Sequence, residues 1–410
     1  MNLCIANGRI VDPTQNLDVK GDLYFAEGCV AAIRAENVSL GEIPAGEWER
    51  IDVKGALVTP GLIDLHVHFR DPGFTYKEDM KTGSAAAAAG GFTTVCMMPN
   101  LKPVTDTPAA VKELLSRQEG INALAVGAIT LGQKGTELAD IKGMKDAGAC
   151  AISEDGRSVA DAGMMLRAFR AAAEADIPVF DHTEDDALLG TEAGEACLAA
   201  RDLILARDAG AKLHLCHISA KLSLDFIRAA KAAGYDVTAE TAPHYFVFDK
   251  SRATHGHFKM NPPLRTAADV QTVIEAVKDG TVDVIATDHA PHSREEKEQG
   301  YEKAMNGVIG LETSFPVSYT ALVRAGHISL FRLVELMSSN GAKILRDESR
   351  GTFKVGAAAD AAVFDVETPF TVDPAAFRSK GRNTPFEGMT VYGKTLLTVC
   401  GGNIVFNDMQ

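Results

Sequence analysis

The chain has 410 residues, of which 46% are hydrophobic and 23% charged, a balance typical of a folded globular protein rather than a disordered one. Its formal net charge of −14 disfavours nucleic acid as a partner, because phosphate backbones bind basic surfaces. No apolar stretch approaches the roughly 20 residues that span a bilayer, and the first residues lack the basic and apolar regions of a signal peptide, so we expect a cytoplasmic protein with no membrane partner.

The two ends of the chain share a pattern of short strands and turns. Residues 1–57 alternate in this way, and residues 346–410 end in a hairpin over Leu396–Phe406 that turns at Gly401-Gly402. Neither end alone has enough strands for a stable sheet. We therefore predict that residues 1–57 and 346–410 together form one small β-sandwich beside a larger domain, residues 58–345.

In the middle of the chain, short apolar strands alternate with amphipathic helices. The predicted strands are Val58–Phe69, Thr93–Met98, Ala123–Ile129, Cys150–Glu154, Pro178–His182, Lys212–Ile218, Asp236–Thr241 and Asp283–Asp288. The predicted helices are Ser84–Ala89, Ala109–Gln118, Met164–Ala175, Ala199–Asp208, Leu222–Ala233 and Ala268–Lys278. Eight strand–helix units in roughly 290 residues indicate an α/β fold, a (β/α)8 TIM barrel. The alternative is a doubly wound open sheet, which would carry a glycine-rich phosphate loop after its first strand; here the first strand ends in histidines.

Residues that bind metals recur where the predicted strands end. His66 and His68 close the first strand and share one face of it, because residues two apart in a strand point the same way. Further candidates at other strand ends are Glu154, Asp155, His182, His214, His217 and Asp288. Taken singly, each residue could have a structural role instead of binding a metal: His217 could be a core histidine, and Asp155 could be a turn residue before Gly156. Since active sites of this barrel lie at the carboxyl ends of the strands, their recurrence predicts a metal site there.

The seven cysteines are scattered and form no Cys-x-x-Cys pair. We expect reduced thiols, and we assign none of them to catalysis or to a metal.

Six motifs together resemble those of dihydroorotases of the amidohydrolase superfamily, in the class I branch, and the likeness covers essentially the whole chain. The motifs are Pro60–Gly73 (PGLIDLHVHFRDPG), Glu78–Asn100 (EDMKTGSAAAAAGGFTTVCMMPN), Asp181–Asp186 (DHTEDD), Lys259–Arg265 (KMNPPLR), Ala286–His292 (ATDHAPH) and Gly307–Thr313 (GVIGLET). The resemblance implies reversible cyclisation of N-carbamoyl-L-aspartate to L-dihydroorotate in pyrimidine biosynthesis, by a hydroxide that two zinc ions activate.

The resemblance also implies a metal ligand set. One Zn²⁺ would be held by His66, His68 and Asp155, and the second by Asp155, His182 and His217. Asp288 would bind the first zinc and act as the catalytic proton shuttle. Many relatives, including hydantoinases and allantoinases, bridge their metals with a carboxylated lysine, but no lysine ends the fourth strand here. We expect Asp155 to be the bridge in preference to its neighbour Glu154.

Substrate capture by an acidic protein requires a local positive group. Arg70 follows His68 by two residues on the same face, and a guanidinium can bind a carboxylate through two parallel hydrogen bonds. The resemblance adds Asn100 and His292 as partners of the substrate carboxylate and Asn261 as a partner of the polar edge of its ring. An ordinary turn asparagine and a surface histidine are the alternatives for Asn100 and His292.

Two other functions stay open at this stage. One is a different cyclic amidohydrolase, acting on hydantoins, dihydropyrimidines or allantoin. The other is a non-catalytic partner subunit of aspartate carbamoyltransferase. The presence of Arg70 argues against the first, and the complete ligand set argues against the second. The resemblance also allows a homodimer and an association of the active enzyme with aspartate carbamoyltransferase.

Overall fold

The computed structural model describes residues 2–409, which form a mixed sheet from both chain ends and a parallel sheet from the middle. The first six strands are β1 (Leu3–Asp12), β2 (Leu17–Ala26), β3 (Cys29–Ala35), β4 (Val38–Gly41), β5 (Glu49–Asp52) and β6 (Leu57–Pro60). The next eight are β7 (Leu62–Val67), β8 (Phe92–Met97), β9 (Asn122–Ala128), β10 (Ala151–Ser153), β11 (Val179–Asp181), β12 (Leu213–Leu215), β13 (Val237–Thr241) and β14 (Val284–Ile285). The last five are β15 (Ala361–Asp365), β16 (Phe370–Thr371), β17 (Thr390–Val391), β18 (Lys394–Cys400) and β19 (Asn403–Asn407).

Strands from the two ends of the chain form one hydrogen-bonded sheet. Its order is β19-β18-β15-β6-β1-β2-β3-β4, and β5 also pairs with β1. The junction between the two ends is β6, which runs antiparallel to β15 and parallel to β1. Apolar residues of both ends, such as Leu3, Phe25, Val363 and Leu397, are buried in one cluster. Each end therefore supplies strands and core that the other lacks, and the hairpin predicted at the carboxyl end is present as β18 and β19.

The predicted strand Val58–Phe69 is divided in the structure. Leu57–Pro60 belongs to the sheet of the chain ends, whereas the barrel begins at Leu62. Gly61 separates the two strands, and its N–H donates to the carbonyl of Asp360 at 3.0 Å. A Cβ at this position would collide with the side chain of Thr93, so only glycine fits. The change from one sheet to the other thus lies at Gly61 and not after residue 57.

The middle of the chain forms a nearly closed barrel of eight parallel strands, in the order β7 to β14. The two ends of this sheet meet where Val67 pairs with His289, and the N–H of His68 donates to the His289 carbonyl at 2.9 Å. β14 is shorter than predicted, and Asp288 at the predicted end lies outside it with a left-handed backbone conformation (φ 47°) that an extended strand excludes. The predicted TIM barrel is confirmed, with all eight strands in the predicted order.

Helices lie between and after the barrel strands, and the longer ones cover the outside of the barrel. They are α1 (Met80–Ala89), α2 (Pro108–Leu115), α3 (Ile141–Asp146), α4 (Ala162–Ala175), α5 (Glu192–Ala209), α6 (Lys221–Ala232), α7 (Pro243–Val247), α8 (Ala267–Asp279), α9 (Arg294–Lys297), α10 (Ser314–Ser318), α11 (Leu330–Val334) and α12 (Asn340–Leu345). Wider π turns at Tyr319–Arg324 and Glu335–Ser339 extend α10 and join α11 to α12. Within residues 2–409 no helix combines the length and apolar character that a membrane crossing requires.

The barrel carries two apolar layers. The larger lies between the strands and the helices, and the smaller fills the interior below the mouth with side chains such as Leu65, Met98 and Phe180. Cys96 and Cys216 belong to the smaller, interior layer, where they are small buried apolar side chains. All seven cysteines are free thiols. A filled interior leaves only the rim of the barrel for chemistry.

Asp12 links the two ends of the chain. It is fully buried at the end of β1, where its Oδ2 accepts hydrogen bonds from Phe353 N at 2.7 Å and Thr352 Oγ1 at 3.1 Å. Its Oδ1 accepts from Thr14 N at 2.9 Å. One buried carboxylate therefore binds donors from residues more than 300 positions apart in sequence, Thr14 on one side and Thr352 and Phe353 on the other.

We predict that Asp12→Ala lowers the free energy of unfolding by about 2–4 kcal/mol, because buried N–H and hydroxyl donors lose their acceptor. The measurement is denaturant unfolding of both proteins. The control is Asp18→Ala, which removes an exposed ion pair with Arg9 and should cost below about 1 kcal/mol. Equal losses in the two variants would contradict the linking role of Asp12.

Candidate metal centre and substrate cavity

The rim of the barrel gathers the predicted ligands around the carboxylate of Asp155. Asp155 Oδ1 lies 3.2 Å from His66 Nε2, and its Oδ2 lies 3.5 Å from His68 Nε2. On the other side, Oδ1 is 3.5 Å from His182 Nδ1 and 3.6 Å from His217 Nε2. One buried carboxylate thus faces two pairs of imidazoles, which is the arrangement that a carboxylate shared by two cations requires.

Asp288 completes the group on one side only. Its Oδ1 is 3.2 Å from His68 Nε2 and 3.6 Å from His66 Nε2. Among the predicted ligands, two trios have ligand atoms within 4.8 Å of one another, namely His66 with His68 and Asp288, and His66 with Asp155 and His217. The structure therefore brings together all six residues that the sequence nominated as metal ligands.

The donor set fits a cation. His66 Nε2 is buried, faces Asp155 and Asp288, and has no hydrogen-bond partner among residues 2–409. His182 Nδ1 and His217 Nε2 lie 2.9 Å apart, so two ring nitrogens share one small space. Imidazole nitrogens and carboxylate oxygens in this number are typical ligands of zinc-class ions. A metal ion would give the unpaired nitrogen a partner and separate the paired ones.

The electrostatics favour negative charge at this centre. Burial opposes ionisation of Asp155, but the charge of His66 and hydrogen bonds with His182 and His217 hold the pKa of Asp155 well below its usual value. Burial likewise opposes ionisation of Asp288, and the hydrogen bond with His68 outweighs it and lowers its pKa. Both carboxyl groups are therefore ionised at neutral pH. Burial and the nearby guanidinium of Arg70 lower the pKa of His68, which keeps that imidazole neutral.

Three residues of the site have strained backbones. Arg70, His217 and Asp288 have φ angles of 61°, 38° and 47°, in the left-handed region that residues other than glycine seldom adopt. Each follows the end of a barrel strand, where the chain turns sharply over the rim. Such strain persists only where surrounding contacts fix it, and it concentrates at functional sites.

Glu154 faces away from this centre. Its carboxylate accepts hydrogen bonds from the backbone N–H of Thr130, at 3.0 Å, and from the Thr130 hydroxyl. The neighbour Asp155, in the turn that follows β10, points to the opposite side and into the cluster. Of the two acidic residues that end β10, the structure places Asp155 among the histidines.

Glu240 was missed by the sequence reasoning. It is fully buried on β13, with Oε1 3.0 Å from His66 Nδ1 and Oε2 3.0 Å from His214 Nε2. The Glu240 carboxylate accepts a hydrogen bond from the Nδ1–H of His66 and so turns Nε2 of this ring toward the cluster. Metal-binding histidines are commonly oriented in this way, by a partner on the nitrogen that does not bind the metal. His214 is thus a partner of Glu240 and not a member of the cluster. The sequence does contain a signal for this role: Glu240 lies inside an apolar strand, where a charge without a partner is costly.

A cavity of about 610 Å³ opens over the cluster. Cluster residues on its wall are His68, Asp155, His182, His217 and Asp288. The predicted substrate contacts Arg70, Asn100, Asn261 and His292 also line it, together with Phe74, Lys77, Gly156, Arg157, Ala290, Ala304, Met305, Asn306 and Gly307. The predicted metal ligands and the predicted substrate contacts therefore share one space.

The Arg70 guanidinium is available to an anion. Its Nε donates to the carbonyl of Pro291 at 3.4 Å, and among residues 2–409 no carboxylate oxygen lies within 4.0 Å of it. A half-buried arginine with no ion-pair partner is costly unless a ligand supplies one. The Arg70 guanidinium is therefore free to pair with an anion that enters the cavity.

The other three predicted contacts are held by protein groups. Asn100 Oδ1 lies 2.9 Å from His68 Nδ1, and its Nδ2 donates to Asp155 Oδ2 at 3.3 Å. Asn261 Nδ2 donates to the carboxylate of Glu184. Asn100 therefore orients two members of the cluster in addition to facing the cavity, a role that the sequence did not reveal.

His292 also has protein partners on both ring nitrogens. Its Nε2 donates to the carbonyl of Asn306 at 2.7 Å, and its Nδ1 lies 3.3 Å from Lys77 Nζ. Burial and the charges of Arg70 and Lys77 lower the pKa of His292 to about 3, so the ring is neutral. Lys77 in turn pairs with Glu296 at 2.9 Å. No sequence pattern predicts this contact, because Lys77 and Glu296 are 219 positions apart.

Comparison with known proteins agrees with this geometry. A family model described as Dihydro-orotase-like matches residues 55–223. The dihydroorotase of Geobacter metallireducens is 44% identical over 429 aligned positions, which cover 99% of this chain and 100% of the relative. The dihydroorotase of Acetivibrio thermocellus is 40% identical, with 99% of each chain covered.

Among solved structures, L-hydantoinase (dihydropyrimidinase) from Arthrobacter aurescens superimposes with a TM-score of 0.89 at 28% identity, covering 100% of this chain and 96% of the other. A D-hydantoinase superimposes with a TM-score of 0.88 at 25% identity and the same coverage. The barrel with its additional sheet is therefore an arrangement shared with cyclic amide hydrolases. Full-length identity above 40% to several relatives decides the family: the chain belongs to the dihydroorotase family of enzymes.

Proposed function

We propose that this chain is a class I dihydroorotase, which interconverts N-carbamoyl-L-aspartate and L-dihydroorotate in pyrimidine biosynthesis. The observation that carries the proposal is the unpaired guanidinium of Arg70 in the same cavity as the cluster around Asp155. Both compounds keep a carboxylate, the α-carboxylate of the aspartate unit, that takes no part in the bond making or breaking. A cavity that pairs an anion site with a metal centre suits a substrate with both groups. The aspartate at the end of β10, in place of a carboxylated lysine, supports the class I branch.

Two zinc ions are the proposed cofactors. His66, His68, Asp155 and Asp288 would hold one, and Asp155, His182 and His217 would hold the other. When bound, such ions lower the pKa of a coordinated water and polarise an amide carbonyl. The proposal rests on the unpaired His66 Nε2 and on the two imidazole pairs that face one carboxylate.

Asp288 is the proposed proton shuttle. It is ionised at neutral pH, lies on the cavity wall and contacts the side of the cluster that His66 and His68 form. In ring opening, its carboxylate takes the proton of the attacking water and then gives that proton to the departing ring nitrogen. In ring closure the same group carries the proton in the reverse direction. Arg70 holds the substrate carboxylate throughout and so fixes the ring amide over the cluster.

A hydantoinase-like activity is the second candidate, favoured by the structural similarity to hydantoinases. Hydantoins and dihydropyrimidines lack the carboxylate that Arg70 would bind. The discriminating experiment is a panel of dihydroorotate, hydantoin, dihydrouracil and allantoin with purified, zinc-supplemented protein. We expect turnover of dihydroorotate and its formation from N-carbamoyl-L-aspartate. Preference for a neutral ring would reject the proposed substrate, and no turnover of any ring would favour a non-catalytic subunit.

Association with other chains is a further part of the proposal, supported by the family alone. A homodimer and a complex with aspartate carbamoyltransferase are both expected from the resemblance. Analytical ultracentrifugation of the protein, alone and with the carbamoyltransferase of the same source, separates a monomer, a dimer and a mixed complex.

We predict that Asp155→Ala abolishes activity and removes at least one bound zinc, because one carboxylate would serve both ions. The matched variant Glu154→Gln should retain its zinc, since that side chain faces Thr130. The measurement is zinc content after dialysis, together with dihydroorotate hydrolysis. Retained zinc in Asp155→Ala and lost zinc in Glu154→Gln would transfer the bridging role to Glu154.

Substrate binding and proton transfer should separate in two further variants. Arg70→Met removes a charge-assisted hydrogen bond worth about 1.5–3 kcal/mol, so kcat/KM should fall roughly 10- to 100-fold with zinc retained. Asp288→Asn should instead collapse kcat, because an amide cannot carry the proton, while KM changes much less. Steady-state kinetics on dihydroorotate measure both.

The control for Arg70→Met is Arg294→Met, which removes a guanidinium from an exposed side chain of α9. This variant should match the parent protein. If Arg70→Met also matched it, the guanidinium would have no role in binding the carboxylate.

A further inference from the structure

One wall of the cavity is built by the segment that follows His292, residues 293–307, which we call the wall segment. It contains the short helix α9 and no strand. Its last four residues, Ala304 to Gly307, line the cavity. Since it has so little regular structure, its conformation depends on side-chain contacts.

The side chain of Lys297 points to the backbone of this same segment. Its side chain is among the largest fully buried ones, although lysine is seldom buried without a partner. The ammonium donates to three backbone carbonyls, those of Lys259 at 3.1 Å, Met305 at 2.7 Å and Gly307 at 2.7 Å. An ammonium has three N–H groups, so every donor of Lys297 is used within the protein.

Within the described part of the chain, residues 2–409, no carboxylate oxygen lies within 4.0 Å of the Lys297 ammonium. The adjacent Glu296 turns to the other side, where it pairs with Lys77 and accepts from the Tyr76 hydroxyl at 3.0 Å. The Lys259 ammonium is directed to the carbonyl of Glu302 at 2.7 Å. Burial and the charge of Lys259 lower the pKa of Lys297 to about 7. The buried ammonium of Lys297 is thus held by three carbonyl dipoles. Because burying a charge in this way is costly, its presence indicates that the position has a specific structural role.

Two parts of the cavity wall meet at this ammonium. Lys259 precedes the cavity residue Asn261 by two positions, and its carbonyl also accepts from Gly307 N at 3.0 Å. On the other side, the ammonium binds the carbonyls of Met305 and Gly307, the two neighbours of Asn306 in sequence. The carbonyl of Asn306 itself accepts a hydrogen bond from His292 Nε2. The ammonium therefore fixes the part that carries Asn261 against the part that orients His292.

We propose that Lys297 is a positioning residue for substrate binding: it acts through the backbone to hold Asn261 and His292 at the spacing that the ring and carboxylate of the substrate require. The inference rests on the proposed function, because it takes these two side chains as substrate contacts. Lys297 does not touch the metal cluster, so its effect should fall on binding and not on the chemical step. The sequence alone gives Lys297 no role, since it lies in a run of charged residues.

The test compares Lys297→Met, which keeps the length of the side chain and removes its donors, with Lys303→Met, which alters an exposed lysine of the same segment. With zinc-loaded enzyme and dihydroorotate, we expect Lys297→Met to raise KM roughly tenfold or more, with kcat changed by less than about threefold. Zinc content should be unchanged, and Lys303→Met should match the parent in both constants. An unchanged KM, or a loss confined to kcat, would overturn the proposal.

Hydrogen exchange provides a readout that needs no substrate. Amides of residues 304–307 should exchange faster in Lys297→Met, while barrel strands keep their protection. Faster exchange throughout the barrel would show a general loss of stability and would also overturn the proposal. If Lys297→Met does not fold, Lys297→Gln, which keeps two N–H donors, is measured in the same way and should show a smaller rise in KM.

The two readouts separate this inference from the proposed function. If the parent protein does not act on dihydroorotate, the proposed function fails. Localised exchange at residues 304–307 would still show that Lys297 holds the wall segment. If the parent is active and Lys297→Met binds substrate as well as the parent does, only the positioning role fails.

Discussion

The site depends on one buried carboxylate that four imidazoles surround. Asp155 is 3% exposed, and a carboxylate so far from water is tolerated only when it is paired. His66, His68, His182 and His217 provide that pairing from three different strand ends. The barrel is what makes this possible, because parallel strands direct their carboxyl ends to one rim. In the class of enzymes to which this chain belongs, such a cluster is the natural place for metal ions.

The rest of the structure supports the cluster from below and from the side. Below it, Glu240 and His214 form a buried polar layer that fixes the ring of His66. At the side, Asn100 contacts both His68 and Asp155. Above it, the strained backbones of Arg70 and Asp288 turn these side chains into the cavity. Each of these contacts reduces the freedom of a group that must be placed to within a fraction of an ångström for metal binding or proton transfer.

Much of the fold and the cluster follows from patterns that act over short stretches of sequence. Alternating apolar strands and amphipathic helices predict the barrel, and spacing by two residues puts His66 and His68 on one face. The structure places Asp155 among the histidines and turns Glu154 toward Thr130, while the bridging role of Asp155 stays a prediction. What the patterns miss depends on contacts between distant residues. The break at Gly61 comes from the close approach of Thr93, and the role of Glu240 comes from a histidine 174 positions away. The buried Lys297 looks in the sequence like any other charge of a solvated loop.

The proposed function requires that Asp155, Asp288 and the four histidines together form a centre for two metal ions. The most direct test is the zinc content of protein freed of metal with a chelator, titrated with zinc and followed by calorimetry and elemental analysis. The geometry predicts two zinc ions per chain, with activity on dihydroorotate returning as they bind. A failure of the protein to bind zinc under these conditions would contradict a metal centre at this cluster.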